Sequence, residues 1–305
     1  MGTPDFAVPT LQKLAEKHEV IASYTQPDRP KGRGKQLQPP PVKTMSEKLG
    51  IPVYQPRSIK EEDVLEQLQS MSPEAIIVVA YGQILPEEIL HLPPYGCINV
   101  HASLLPKYRG AAPIHWAVIN GEKETGVTTM LMDKGLDTGD ILLQKKINIS
   151  MEDTVGTVHD KLASLGAELL IETLEGLQNG IVKPRKQDDN FATYVSMLDR
   201  QVEKIDWNSS AEKIFNKVRG LNPWPGAYTT LHGKRLKVWK TEISEKDSVF
   251  HPGKILDIIP DKGIEVGTKK GKIIITELQP PGKKRMSASA FLRGYNVEKG
   301  DILGE

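Results

Sequence analysis

The chain holds a single cysteine, Cys97, inside an apolar run, so no disulfide framework can form and a reducing compartment is expected. Aromatic residues make up only 6% of its 305 residues, and no run of about 18 apolar residues is present, so a membrane-spanning helix is not expected. No basic-then-apolar leader opens the chain, and Phe6 stands where a myristoylation signal needs Ser or Thr. With one cysteine and scattered histidines there is no metal-ligand cluster, and no P-loop or GxGxxG follows a strand-like segment. A cytoplasmic protein is therefore expected, and a monomer, since no large apolar stripe stands out.

The net charge is only +1, but it is unevenly spread. Residues 201–305 carry 19 Lys+Arg against 13 Asp+Glu, a balance of +6, and the remainder carries 21 against 26, a balance of −5. A basic C-terminal third on an acidic body points to a polyanionic partner, with uneven surface composition as the alternative. The N-terminal part alternates helix and strand patterns. Helices are expected at 6–17, 42–49, 61–70, 86–91, 113–120 and 154–177, and strands at 19–24, 51–54, 74–81, 96–101, 127–132 and 141–149. That alternation predicts an α/β fold with a Rossmann-like open, mostly parallel sheet. A helix at 210–218 and several short strands then predict a small β-barrel, OB-like, or a sandwich. The expected domains are 1–182, a linker at 183–203, and 204–305. The opening Met1-Gly2-Thr3-Pro4 reads as the turn that follows a strand, so the first strand of the sheet is expected to be absent, through a start assigned too late; if the chain as given is the true product, low stability is expected.

The chemistry concentrates at residues 96–113, GCINVHASLLPKYRGAAP. Asn99 and His101 are two apart on a strand and so face the same way, at the strand end where open α/β sheets place their ligands. An amide there can donate to a developing oxyanion, and an imidazole can donate or move a proton near neutral pH. A packed strand end with a satisfied core histidine fits the same residues. Farther on, Asp133, Asp137 and Asp140 share a glycine-broken loop, and their spacing does not choose among them.

Three blocks in this order carry a resemblance: Asn99-Val100-His101, then Ser103-Leu104-Leu105-Pro106, then Leu136-Asp137-Thr138-Gly139. With Gly2-Thr3-Pro4-Asp5-Phe6, Thr25 to Pro30, Asn222-Pro223-Trp224-Pro225 and QPPGKKRMSA at 279–288, the chain resembles, over nearly all its length, the formyltransferases that use 10-formyltetrahydrofolate. The resemblance implies a catalytic trio of Asn99, His101 and Asp137, a folate site at Ser103, Leu104, Leu105 and Pro106, and no metal. It also implies formyl transfer to the amino group of the methionine-charged initiator tRNA, for translation initiation.

The segment 25–43 is long for a connection in a compact α/β unit. From Arg29 onward it holds Arg29, Lys31, Arg33, Lys35 and Lys43 with no acidic residue, a composition suited to a phosphate backbone or to plain solvent. The resemblance implies that Arg29, Lys31, Arg33 and Lys35 meet the tRNA, Arg33 foremost. Formylation of a sugar-nucleotide amine is the competing reading, and the basic arm speaks against it. Hydrolysis of the folate, or RNA binding without catalysis, would leave the arm or the trio without a purpose.

Overall fold

A computed structural model describes residues 1–31 and 36–305, without the Lys31 side chain. The chain divides into two compact units. The first holds Met1–Pro113, Glu124–Asn148 and His159–Val195, and the second Ile114–Lys123, Ile149–Val158 and Ser196–Glu305.

The first unit opens with a 3-10 turn, Asp5–Ala7, and helix α1 (Val8–Lys17). Then come β1 (Ser23–Tyr24), a small hairpin of β2 (Arg29–Lys31) and β3 (Gln36–Gln38), α2 (Pro41–Lys48), β4 (Val53–Tyr54) and α3 (Glu62–Met71). β5 (Ile76–Val78), α4 (Glu87–Leu90), β6 (Cys97–His101) and β7 (Arg109–Gly110) follow. The chain then passes into the second unit for helix α5 (Pro113–Ile119) and returns for β8 (Glu124–Leu131) and β9 (Ile141–Asn148); the long α6 (Val155–Gln178) has its first turn in the second unit and the rest in the first, which ends at β10 (Tyr194–Val195). β1 pairs with β4, and β5, β6, β8 and β9 form a four-stranded sheet in that order. This sheet is mixed where a mostly parallel one was expected: β5 and β6 are parallel, but β8 runs antiparallel to both β6 and β9. The short loop between β8 and β9 can join only antiparallel neighbours. Ile76, Val78, Ile89, Cys97 and Leu68 are buried together, and each such aliphatic side chain contributes about 2 kcal/mol relative to exposure.

Between β1 and β5 the sheet is broken. Among the described residues only Met1 and Gly2 lie there: the Gly2 N–H donates to Tyr24 O at 2.9 Å, Met1 O accepts from Val79 N at 2.9 Å, and the Met1 ammonium donates to Ile77 O at 2.6 Å. Gly2 and Val79 form a parallel bridge, so this dipeptide is one rung of a strand laid between two edges. Beside it is a cavity of about 500 Å³ lined by Met1, Leu14, Ile21, Ser23, Ile77 and Leu174 among others. Burial pushes the Met1 amine down to about 6, with the Cys97 thiol acting weakly the other way. The gap also explains why the expected strand at 19–24 shrinks to Ser23–Tyr24: among the described residues, 19–22 have no neighbouring strand to pair with.

In the second unit, α7 (Arg200–Glu203) and α8 (Ala211–Gly220) precede β11 (Ala227–Leu231), β12 (Lys234–Glu245), β13 (Ile255–Ile259), β14 (Gly263–Gly267), β15 (Lys272–Gln279), β16 (Met286–Ser287) and α9 (Ala288–Leu292). The order is β11-β12-β15-β14-β13, with β16 on β15, and every pair is antiparallel. Where a barrel was expected, no pairing among the described residues joins β11 to β13, so the sheet stays open. Its apolar face buries Val238, Ile264, Val266, Ile273 and Ile275 with Ile214 and Phe291. Arg219, buried, donates to Asn216 Oδ1, Ser150 O and Asp153 O at 2.8–3.1 Å, which ties 149–158 to α8.

Candidate active site

Strand β6 presents Asn99 and His101 on one side, as the two-residue period requires. Asn99 lies opposite Met130 and His101 opposite Thr128 on β8. His101 is buried, and its Nε2 lies 2.9 Å from Tyr108 O. A carbonyl can only accept, so Nε2 carries the proton and donates. That leaves Nδ1 facing outward, 3.7 Å from Asp137 Oδ2. Asn99 Nδ2 approaches Asp137 Oδ1 at 3.5 Å. Both distances exceed those of strong charge-assisted hydrogen bonds, so the three groups converge without closing on each other.

The three aspartates that spacing left open are placed differently. Asp133 holds its own turn, accepting from Gly135 N at 2.9 Å and from Thr138 Oγ1 at 2.7 Å. The Asp140 carbonyl accepts from Leu131 N as the chain enters β9. Asp137 alone of the three turns its carboxylate to Asn99 and His101, and it does so from a left-handed backbone, φ +53°. Its Oδ2 accepts from Gly110 N at 2.8 Å. Two residues on, a Cβ at Gly139 would collide with the Leu131 carbonyl, so only glycine lets the loop close against β8.

The loop after β6 is pinned from beneath. Thr128 Oγ1 donates to Ser103 O at 2.7 Å and accepts from Leu105 N at 3.1 Å, and Gln144 Nε2 donates to Leu105 O at 2.8 Å. Ser103 Oγ donates to Lys107 O at 2.7 Å. Leu105 is buried, while Leu104 and Pro106 are half-buried. The next residues reveal a group that sequence reasoning passed over. Arg109 is only 1% exposed, yet its donors are met: Nε and Nη2 reach Gln187 Oε1 at 3.0 and 2.9 Å, Nη1 reaches Tyr194 Oη at 2.8 Å, and Nη2 reaches Asp189 Oδ1 at 2.7 Å. β10 runs parallel to β7, so residues 187–195 lie along this loop.

The basic arm is only partly described. Arg29 is exposed, with Nη2 3.1 Å from Gln26 Oε1, and Lys31 pairs by its backbone with Gln36. Arg33 and Lys35 lie outside the described residues. Lys43 is committed elsewhere, reaching the Asp28 carboxylate at 2.9 and 3.0 Å. Trp224 is 66% exposed. Its carbonyl lies 3.2 Å from His115 Nε2, and Lys237 Nζ donates to Pro225 O at 2.7 Å. Among the described residues no group of three His, Cys, Asp or Glu is placed to hold a metal ion.

Residues 1–174 match the family model described as formyl transferase, and residues 197–296 match that of the formyl transferase C-terminal domain. The chain belongs to the formyl transferase family. This formyltransferase is 54% identical over its full length to the methionyl-tRNA formyltransferase of Pelotomaculum thermopropionicum, of which 97% is covered. It is 51% identical, again over the full chain, to that of Halothermothrix orenii, of which 98% is covered. Among solved structures its fold is similar to WlaRD, a sugar 3N-formyl transferase crystallised with dTDP and 5-N-formyl-THF, at TM-score 0.65 and 21% identity over 93% of this chain and 97% of that one. HypX from Aquifex aeolicus, in complex with tetrahydrofolic acid, superposes at TM-score 0.61 with 17% identity, covering 93% of this chain and 51% of that one.

Proposed function

We infer that this formyltransferase transfers the formyl group of its substrate 10-formyltetrahydrofolate to the free α-amino group of methionyl-initiator tRNA, for translation initiation. One observation carries the chemistry: the Asp137 carboxylate, from the loop after β8, converges on an amide and an imidazole at the end of β6, with gaps between them. The acceptor follows from the relatives, 51–54% identical over the whole chain, whereas the sugar-acting neighbours share 19–21%.

The amine nitrogen attacks the formyl carbon, and the carbonyl electron pair moves onto oxygen. Asn99 Nδ2 has a second proton to donate to that oxyanion. In its imidazolium form His101 donates to the same oxygen from Nδ1, its Nε2–H being engaged by Tyr108 O. Asp137 orients the imidazole and accepts the proton that the amine must lose, directly or through a water. The formyl C–N bond to the folate then breaks and tetrahydrofolate leaves with the proton. No metal is needed. Ser103, Leu104, Leu105 and Pro106 form the folate wall, and their rigid anchoring to Thr128 and Gln144 suits a preorganised binding loop.

Residues 1–182 are the catalytic domain in this reading, and 204–305 an antiparallel β-sheet module that binds tRNA, joined by 183–203. The arm with Arg29, Lys31, Arg33 and Lys35 meets the acceptor end. Lys234, Lys269, Lys283 and Lys284 supply backbone contacts, and the exposed indole of Trp224 can stack a base. The enzyme acts as a cytoplasmic monomer.

The test is formyl transfer from 10-formyltetrahydrofolate to charged initiator tRNA, with a dTDP-amino sugar as rival acceptor. Transfer to the tRNA is expected, with losses of about 100-fold or more for His101→Ala and Asn99→Ala. Transfer to the sugar alone, or full activity in both variants, would refute the reading.

A further inference from the structure

We propose that Gln187 is a positioning residue for the reaction, and that it works by fastening the backbone under Asp137 to the buried Arg109 guanidinium. The proposal rests on the reading of Asp137 as part of the reacting centre.

Gln187 stands between two groups of opposite hydrogen-bonding character. A guanidinium can only donate, and two of its nitrogens, Nε and Nη2, point at Gln187 Oε1. Backbone carbonyls can only accept, and those of Asp137 and Gly139 both lie 2.8 Å from Gln187 Nε2. Only a neutral side chain with an acceptor at one end and donors at the other meets both demands. The amide orientation is therefore dictated by chemistry on both sides. Arg109 cannot relax away, because Tyr194 Oη and Asp189 Oδ1 hold its remaining edge.

The loop it fastens has reason to move. Asp137 sits at φ +53°, in the left-handed region, which aspartate enters at modest cost and which its surroundings must hold in place. The two carbonyls that Gln187 grips flank the peptide units of this turn. Without them the backbone can relax, and the carboxylate loses its aim at Gly110 N and at the His101 and Asn99 edge. A shift of about 1 Å at such a centre costs on the order of 100-fold in rate.

The substitution that isolates this role is Gln187→Glu. A carboxylate keeps the acceptor that Arg109 needs, so the loop stays anchored, but it has no donor for the two carbonyls. For Gln187→Glu and Gln187→Ala the expected result is a fall in kcat of about 30- to 100-fold with the KM for folate changed by less than about threefold. Arg109→Lys, which keeps the charge but not the fork, is expected to lower kcat in the same sense. Circular dichroism melting gives the folded fraction of each variant. A loss of activity that merely tracks that fraction, or a wild-type kcat in Gln187→Glu, would overturn the proposal. Asp137→Asn, measured alongside, separates the two readings. If it retains full activity, the assignment of the site has failed. If it is inactive while both Gln187 variants turn over normally, only the positioning role has failed.

Discussion

Two cations are buried in the first unit, and their surroundings differ completely. Arg109 is 1% exposed, and donors along its whole fork are taken up by Gln187, Tyr194 and Asp189. The Met1 ammonium is buried too, but the described bond it makes is one, to the Ile77 carbonyl. The first keeps its charge and organises a loop around itself. The second is pushed toward neutrality, down to about 6. Burial alone decides neither outcome: what counts is whether the fold supplies acceptors for the protons that water would otherwise bind.

The largest effect in this comparison is expected from removing the satisfied cation. Arg109→Met leaves the half-buried Gln187 Oε1 without its donors and breaks the bonds to Tyr194 and Asp189, and should lower the free energy of unfolding by roughly 3 kcal/mol, read from urea titration. The unsatisfied cation is next. An unfolded amine titrates near 8.0 and the folded one near 6, so between these values the unfolded chain binds more protons than the native one. Stability should therefore rise with pH from about 6 to about 8 and level off on either side, a gain of roughly 2–3 kcal/mol that urea titrations at a series of pH values would reveal. The smallest effect is expected at a half-exposed cation. Lys43 pairs with Asp28 at 2.9 Å with side-chain exposures of 21% and 30%, and Lys43→Met should change stability by less than about 1 kcal/mol. A large loss there would mean that exposure is not the variable that separates these sites.

Much of the architecture was legible because it rests on local pattern. The 24-residue helix Val155–Gln178 and the strand Cys97–His101 lie where periodicity placed them. The pairing of β7 with β10 left no such trace, since each strand is two residues long and the partners lie 85 positions apart. The same separation hid Gln187, whose neighbours in sequence are polar and whose neighbours in space are not its neighbours in sequence. Asn99 and His101 could be paired from a strand period of two, but Asp137 could not be told from Asp133 by spacing. Only the fold shows that Asp133 serves its own turn. Trp224 is a related case: its sequence neighbours, Pro223 and Pro225, do not say which way the ring faces, and the fold leaves it exposed.

The rung that Met1 and Gly2 form between β1 and β5 has a consequence for longer forms of this chain. A peptide nitrogen in place of the Met1 ammonium would keep the donor to Ile77 and shed the charge. Residues joined ahead of it, if apolar and β-branched, would run parallel between the edges of β1 and β5 and fill the cavity of about 500 Å³. The two-stranded and four-stranded sheets would then fuse, through the added strand, into one continuous seven-stranded sheet. In such a protein the slope of stability between pH 6 and 8 should vanish, because the titrating group responsible for it would have become an amide.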